Sequence, residues 1–475
     1  MNKVVQCFGA MAIIVIVVAI LSRRTYGLSE EWYVSGTVCW QIDANGTLTL
    51  APISGNVGYL GEPEPNVYHA APWYNQRDKI RAIYVPEGNV IVFPADSARL
   101  FYDCANLEDI SGLARCDVSQ VKDMIYLFSG CESLKTVDAL ANWDVRNVEI
   151  FSNLFLGCIS LEDIRGLATW NLAKNRATAY CFCNCVMLSD FSPIEHWNMS
   201  MDGEVCYMFS GCESLSNLDF LSHWDASGMV IASGMFQMCP LITNLDALAT
   251  WNTVNMDAMD SMFAQCENLK NIDGIRGWNT GKVATMNSMF RDCATLESID
   301  TVSEWNTESV VDMMYLFAGC KNITNGNGVK DWRLMNVSHM GWMFKDCVML
   351  QQIDLSGWVL NETVNMDGLV KGCVSLEQII LGQNLVQKKF SLRTSYDDEV
   401  VETWSRVDGQ YAEISADDFS EGYTEEMAGL WQKDSPKETQ EEIQRDVEYE
   451  LWIEIQKRFI SDVRNLMFRL VQVGG

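Results

Sequence analysis

Cysteine recurs at every twenty-seventh position through the middle of this 475-residue chain, and this constant interval restricts the fold more than any other feature. Ten cysteines keep the interval and an eleventh stands one position early: Cys104, Cys131, Cys158, Cys185, Cys212, Cys239, Cys266, Cys293, Cys320, Cys347 and Cys373. A fixed period between about 20 and 50 residues is typical of proteins built from stacked repeats. The period therefore predicts a solenoid, in which each unit contacts only its neighbours.

Aromatic and aliphatic residues keep the same period. Phenylalanine stands three residues before each of the first ten cysteines, from Phe101 to Phe344, and leucine or isoleucine stands three residues after every cysteine of the series. Tryptophan stands twelve residues after, at Trp143, Trp170, Trp197, Trp224, Trp251, Trp278, Trp305 and Trp332. Because one unit cannot bury such a face alone, these columns predict a core that runs through all units.

The segment from Trp143 to Cys158 illustrates the local structure expected of one unit. Asp144 is a residue type that caps helix N-termini, and Trp143 and Val148 have the spacing of a hydrophobic staple. Apolar residues then fall at helical spacing, at Val148, Phe151, Leu154 and Phe155. Segments after each cysteine, such as 134–138, are typical of a short strand. The chain is therefore predicted to be an α/β solenoid of about eleven helix-plus-short-strand units.

The sequence divides into five predicted parts. Residues 1–27 form a targeting segment, 28–99 a β-rich N-terminal cap, 100–385 the repeat solenoid, 386–431 a C-terminal cap and 432–475 an amphipathic helical tail. Caps are expected because the first and last units of a solenoid would otherwise expose its core.

Residues 1–27 predict export. Lys3 precedes an apolar run over residues 4–21, and Thr25 and Gly27 are small residues suited to a cleavage site. The run is long for a signal peptide and adequate for a membrane span. Export leaves two interpretations open, a cleaved signal peptide and an uncleaved N-terminal membrane anchor, and both place the protein outside the cell or on its surface. The alternative to export is a cytoplasmic protein with a membrane tether.

The tail predicts one long amphipathic helix. Its apolar residues recur at helical spacing, at Ile443, Val447, Leu451, Ile455, Phe459, Val463, Leu466 and Leu470. This helix either packs on the solenoid of its own chain or pairs with a second copy or a partner.

Charge excludes one class of ligand. The formal net charge is −29, and so acidic a surface repels phosphate backbones. Nucleic-acid binding is therefore not expected.

The cysteines raise the question of metal or disulfide chemistry. A buried column of reduced thiols is the favoured interpretation of the repeat cysteines, because such thiols behave as small hydrophobic groups. The one local cluster, Cys181, Cys183, Cys185 and Cys206, allows zinc, a local disulfide or free thiols, and free thiols are favoured. We therefore predict no zinc, and no cofactor.

A column of carboxylates also has two interpretations. It comprises Asp138, Asp219, Asp246, Asp273, Asp300 and Asp354, with Asn327 in the same place. Stacked carboxylates suit calcium, but aspartate after a strand is more often a turn former that bonds its own backbone. The turn is the favoured interpretation.

The predicted strands carry the candidate interaction face. Between the two apolar residues of each strand stand two polar residues: Lys135, Thr136, Glu162, Asp163, Ser189, Asp190, Ser216, Asn217, Thr243, Asn244, Lys270, Asn271, Glu297, Ser298, Thr324, Asn325, Gln351 and Gln352. We call these residues the strand face. None is aromatic, so the face is expected to bind through hydrogen bonds and charge. The tryptophan column could instead stack on sugars, but its staple spacing favours core packing.

Signals of catalysis are absent from the sequence. The four histidines, His69, His196, His223 and His339, are scattered and form no metalloprotease motif, and no nucleophile elbow, phosphate loop or dinucleotide fingerprint is present. No catalytic residue is predicted.

These repeats resemble a known family. Trp278, Asn279, Val283, Met286, Met289, Phe290, Cys293, Leu296, Ile299 and Asp300 follow the repeat of BspA-type leucine-rich-repeat surface proteins, also called the mycoplasma lipoprotein-associated repeat family. The resemblance covers about residues 100–385. It implies a secreted or surface-attached bacterial protein that binds a host or cell-surface protein and acts in adhesion. The alternative is a structural surface component that oligomerises through its C-terminal helix.

Overall fold

The computed structural model describes residues 32–62, 71–201, 203–361, 363–385, 390–397, 399–419 and 423–434. The chain forms two compact units, residues 1–432 and 433–475, and nearly all described residues belong to the first. The apolar run at 4–21 and the predicted tail helix both lie outside the described residues. Within the described residues, no helix is long and apolar enough to cross a membrane.

The described elements are short strands and 3₁₀ turns. The strands are β1 (Tyr33–Ser35), β2 (Val38–Ile42), β3 (Thr47–Pro52), β4 (Val57–Tyr59), β5 (Ala82–Tyr84), β6 (Val90–Val92), β7 (Cys116–Asp117), β8 (Arg333–Leu334), β9 (Gln352–Leu355), β10 (Val359–Leu360), β11 (Gln378–Leu381), β12 (Thr403–Arg406), β13 (Ile414–Ser415) and β14 (Gly429–Lys433). The 3₁₀ turns are Tyr74–Lys79, Ser111–Arg115, Asp138–Leu140, Arg165–Leu167, Ser192–Ile194, Asp219–Leu221, Ala226–Gly228, Asp246–Leu248, Asp273–Ile275, Asp300–Glu304, Asn327–Val329, Gln383–Leu385 and Glu425–Met427.

Small sheets stand at both ends of the repeats. At the N-terminal end, β1, β2, β3 and β5 form one sheet in that order, and β4, β6 and β7 form a parallel sheet. Strand β7 is already part of the first repeat, so this sheet continues into the solenoid. At the other end, β13, β12, β14, β11 and β9 form a five-stranded sheet, in which β9 and β11 pair in parallel.

Successive units stack in parallel with the register that the cysteine period predicts. Isolated parallel bridges join Ile150 to Ala177, Ala177 to Glu204 and Glu204 to Ile231, and each step equals one period of the repeat. Further bridges continue this column from Asp96 to Asn365. The solenoid prediction is confirmed at this level, because each rung contacts the next through a fixed set of backbone positions.

The predicted helix in each unit is wrong. The N–H groups of Phe151, Asn153 and Phe155 donate to carbonyls of the next rung, at 2.8–2.9 Å, rather than to carbonyls of the preceding helical turn. Asn153 and Gly157 adopt left-handed φ values of 61° and 73°, which interrupt any α-helix. The side chain of Asp144 accepts from the N–H of Arg146 and forms a local turn. The spacing therefore identified buried residues and not a helix.

The predicted strand after the cysteine is shorter than expected on most rungs, and among the described residues only the last two rungs have strands of four residues there, β9 and β11. Thr136 forms a single parallel bridge to Asp163, and a 3₁₀ turn begins two residues later. A rung therefore consists of isolated bridges, a sharply turning segment with left-handed residues, and one 3₁₀ turn.

The core is built from the repeated columns. Phe128 stacks on Phe155 with ring centroids 5.6 Å apart and an angle of 6°, and Trp143 stacks on Trp170 at 6.3 Å and 7°. The indole Nε1 of Trp143 donates to the carbonyl of Leu113, 2.9 Å away in the preceding rung. The same bond recurs at Trp170, Trp224 and Trp251, whereas the buried Nε1 of Trp197 has no hydrogen-bond partner among the described residues. Stacked rings of this kind bury large apolar surfaces. The core interpretation of the tryptophans is confirmed.

Candidate functional site

The strand face lies in register along the rungs. All of its residues are exposed or half-buried, while the apolar residues on either side of each pair are buried. Parallel bridges from Thr136 to Asp163, from Asn244 to Asn271 and from Asn325 to Gln352 place equivalent residues on consecutive rungs. The structure therefore brings these residues together as two adjacent columns.

The second residue of each pair, which we call the inner column, has a structural role. On eight of the nine rungs its side-chain oxygen accepts the N–H two residues later, at 2.6–3.3 Å, and so holds the start of the next turn. The exception is Gln352, which lies in β9. The acceptors are Thr136, Asp163, Asp190, Asn217, Asn244, Asn271, Ser298 and Asn325. Side chains of these types are suited to such local bonds.

The first residue of each pair, which we call the outer column, is exposed on every rung. It comprises Lys135, Glu162, Ser189, Ser216, Thr243, Lys270, Glu297, Thr324 and Gln351. The column mixes both signs of charge with neutral hydrogen-bonding groups. Because its side chains point away from the core, they are free to vary without disturbing the fold.

Substitution of neighbouring residues separates the two roles. We expect Asn271→Ala to lower the free energy of unfolding by about 0.5–1.5 kcal/mol, because the N–H of Asp273 loses its acceptor 2.6 Å away. The matched change Lys270→Ala, one residue earlier, is expected to alter stability by less than about 0.5 kcal/mol. Urea denaturation followed by circular dichroism measures both. Equal losses from the two variants would contradict this division of roles.

Most aspartates of the column do not make the turn-forming hydrogen bond that was expected of their side chains. Asp138, Asp219, Asp246 and Asp273 each begin a 3₁₀ turn, but their backbone N–H is capped by the side chain two residues earlier. The turn-forming role on these rungs therefore belongs to the inner column. Only at Asp354 does the carboxylate itself accept the N–H two residues later, at 2.9 Å. Within the described part of the chain, no three or more histidine, cysteine, aspartate or glutamate side chains are grouped so as to hold a metal ion.

The repeat cysteines form a ladder of thiols. The Sγ of Cys266 donates to the carbonyl of Phe236 at 3.2 Å, and the same bond recurs on neighbouring rungs. Burial raises the pKa of Cys266 to about 12. No disulfide joins the cysteines of the described residues, Cys181, Cys183 and Cys206 among them. The thiols of the repeat cysteines therefore fill space in the core and donate hydrogen bonds to backbone carbonyls of the preceding rung.

A second surface was missed by the sequence reasoning. Five residues before each cysteine of the series stands a residue with left-handed φ: Arg99, Tyr126, Asn153, Tyr180, Tyr207, Gly234, Ser261, Ser288, Tyr315, Trp342 and Gly368. We call this column the turn face. Five of its residues are half-buried aromatics. The signal was available in the same register as the cysteines, as aromatic residues recurring at one position.

The aromatic residues of the turn face form short stacks. Tyr180 stacks on Tyr207 with centroids 4.8 Å apart, and Tyr315 stacks on Trp342 at 5.3 Å. Glycine follows each stack on the next rung, because a Cβ at Gly234 would lie 2.2 Å from the ring of Tyr207. The column also contains a cation–π contact, in which the guanidinium of Arg99 lies 4.8 Å from the ring centroid of Tyr126.

Stacked rungs with a continuous apolar core and two outward columns define a solenoid repeat protein. The sequence profile of the family described as "Mycoplasma protein of unknown function, DUF285" matches residues 95–224, 204–301 and 270–384. The chain belongs to this family, which confirms the resemblance found in its repeats. No curated protein matches the chain.

Three solved structures are distantly similar to the chain. A leucine-rich repeat protein from Eubacterium ventriosum is 14% identical with a TM-score of 0.36, covering 78% of this chain and 95% of that one. A leucine rich cell surface protein from Faecalibacterium prausnitzii is 12% identical with a TM-score of 0.30, and the match covers 78% of this chain and 97% of that one. A leucine-rich repeat protein from Bacteroides ovatus is 13% identical with a TM-score of 0.30, and the match covers 76% of this chain and 90% of that one. At such low similarity the stacked rungs themselves define the fold.

Proposed function

We propose that this protein is a non-catalytic scaffold that binds a protein partner through the outer column of the strand face. The observation that carries the proposal is the regular file of exposed polar side chains, none of which is aromatic or needed for the core. At a strand spacing of about 4.8 Å, nine rungs give a surface roughly 40 Å long. A protein interface of ordinary size buries about 800 Å² on each side, so a partner would cover this column together with the residues beside it.

The composition of the outer column supports recognition by charge and hydrogen bonds. Lys135 and Glu162 stand on adjacent rungs, as do Lys270 and Glu297, with neutral residues between the two pairs. Alternating signs favour a partner of complementary pattern over one of uniform charge. Polar interfaces of this kind fix register and orientation.

The exposed histidines support a non-catalytic role. His196 lies 3.1 Å from Glu195, and the Nδ1 of His223 lies 3.1 Å from the hydroxyl of Ser222. Both contacts join residues adjacent in sequence and exposed to solvent. A catalytic base works beside a positioned nucleophile with a third group that orients it, and exposure of this kind does not supply that arrangement.

We also propose that the protein acts outside the cell, in adhesion, as a secreted or surface-attached bacterial protein. The sequence of residues 1–27 supports export, through either a signal peptide or an anchor. The net charge of −29 suits an exported protein that must stay soluble.

Affinity capture with a face variant tests the proposed function. Residues 28–475 are immobilised and exposed to extracts of host and bacterial cell surfaces, and captured proteins are quantified by mass spectrometry. The test variant replaces four outer-column residues: Lys135→Ala, Glu162→Ala, Lys270→Ala and Glu297→Ala. The matched control replaces four exposed residues elsewhere: Lys122→Ala, Lys321→Ala, Glu132→Ala and Glu213→Ala.

We expect at least one protein to be retained by the unmodified chain and by the control, and to fall tenfold or more with the test variant. Retention by both variants at the same level would exclude the outer column as the binding surface. Matching thermal unfolding curves of the two variants establish that both are folded.

A further inference from the structure

The turn face ends in a cleft with an unusual lining for so acidic a chain. The cleft has a volume of about 610 Å³ and lies between the last rungs and the segment that follows them. Its walls include Trp342, Lys345 and Lys371 from the rungs, and Arg393, Tyr396 and Asp417 from the later segment. A concave site of this size accommodates a small ligand and not an extended one.

Aromatic groups form two sides of the cleft. The ring of Tyr396 is 57% exposed. Trp342 continues the stack begun by Tyr315, and a Cβ at Gly368 would lie 2.4 Å from the indole. The glycine therefore lets the indole lie flat against the backbone of the next rung, where a larger residue would displace it.

Two lysines converge on the exposed ring. The Nζ atoms of Lys345 and Lys371 lie 5.9 Å and 5.4 Å from the ring centroid of Tyr396. The hydroxyl of Tyr396 donates to Asp346 at 2.5 Å, which fixes the ring in this position. An aromatic ring attracts cations to its face, so the ring holds two ammonium groups close together at the cleft.

The local charge is positive although the chain is strongly negative. Asp346 lies 3.7 Å from Lys345, and Asp417 is paired with Arg393. Three cations and one carboxylate, Asp417, line the cleft, so the lining carries an excess of positive charge. A ligand carboxylate placed between the two lysines would balance it through charge-assisted hydrogen bonds.

We propose that this cleft binds a carboxylated sugar, such as one uronic acid unit of an acidic polysaccharide. The exposed ring of Tyr396 offers an apolar surface to the C–H groups of a pyranose ring, and the lysines bind its carboxylate. An acidic peptide offers the same carboxylate without the pyranose ring, so the experiment compares the two ligands directly. This site is separate from the strand face and does not depend on the proposed function.

Titration calorimetry of residues 28–475 with tetragalacturonic acid tests the proposal. The comparison ligands are neutral galactotetraose and a tetrapeptide of aspartate and glutamate. The test variants are the double substitution Lys345→Gln with Lys371→Gln, and Tyr396→Ala. Lys321→Gln is the matched control, because Lys321 is an exposed lysine of the preceding rung outside the cleft. Lys371→Arg retains the charge.

We expect tetragalacturonic acid to bind, and both test variants to weaken it tenfold or more. Lys321→Gln and Lys371→Arg are expected to stay within threefold of the unmodified chain. Absence of tetragalacturonate binding, equal binding of the neutral sugar, or tighter binding of the acidic peptide would each overturn the proposal. Thermal unfolding of every variant separates lost binding from lost structure.

Discussion

Gly274→Ala is expected to lower the free energy of unfolding by about 2–3 kcal/mol, as an overpacked core does. A Cβ at this position would lie 2.1 Å from the carbonyl oxygen of Leu245 and 2.7 Å from the Cα of Asp246. Both atoms belong to the backbone of the preceding rung, so neither can rotate away as a side chain would. The rungs would have to separate, and the bridges between them would weaken. Urea denaturation followed by far-ultraviolet circular dichroism measures the loss.

The same rung provides the control for this substitution. Gly277 has an ordinary backbone conformation, and no described atom lies within 4 Å of its expected Cβ. Gly277→Ala is therefore expected to leave stability unchanged within about 0.5 kcal/mol. If the two alanine variants unfolded at the same urea concentration, the close approach of the rungs at Gly274 would be wrong.

Phe263→Ala is expected to cost about 3–5 kcal/mol, which is the range for removing a fully buried aromatic side chain. The Phe263 ring is completely buried between Phe236 at 5.6 Å and Phe290 at 5.7 Å. Its removal leaves a cavity in the middle of the solenoid and breaks two stacking contacts. Because each rung is stabilised by its neighbours, the damage is expected to reach the adjacent rungs.

Tyr126→Ala is the control for the loss of an aromatic ring. Tyr126 is half-buried on the turn face and has a left-handed φ of 57°. Its removal is expected to cost less than about 1.5 kcal/mol, since it loses partial packing, an edge-to-face contact with Tyr102 and one cation–π contact. Chemical denaturation of both variants gives the difference. A larger loss from Tyr126→Ala than from Phe263→Ala would show that the phenylalanine column does not form the core.

The sequence predicted the stacking of the rungs because stacking depends only on a constant period. Cys266, Phe263 and Trp278 are buried as their columns required. The local conformation was not predicted, because apolar positions spaced three and four apart suit both an α-helix and a rung that turns sharply. The choice between them depends on backbone bonds to the next rung, and no residue of a single unit reveals those bonds.

The sequence predicted that the strand face is exposed, but it did not predict that its inner column holds turns while its outer column is free to bind. Thr136 and Asn271 looked like ligand-binding residues, yet each side chain holds a turn. The turn face was missed because its aromatic column is interrupted by Asn153, Gly234 and two serines. The cleft beside Tyr396 was beyond sequence reasoning, since its walls are far apart in the chain and meet only when it is folded.

Sulfur-anomalous diffraction from crystals of residues 28–475 tests the central claim most directly. If the rungs stack as described, the sulfur atoms of the eleven repeat cysteines will form one row with neighbours about 5 Å apart. Neighbouring sulfurs joined at about 2 Å would instead indicate disulfides. Cysteines found in separate regions of the crystal structure would contradict the solenoid, and with it the strand face and the proposed binding role.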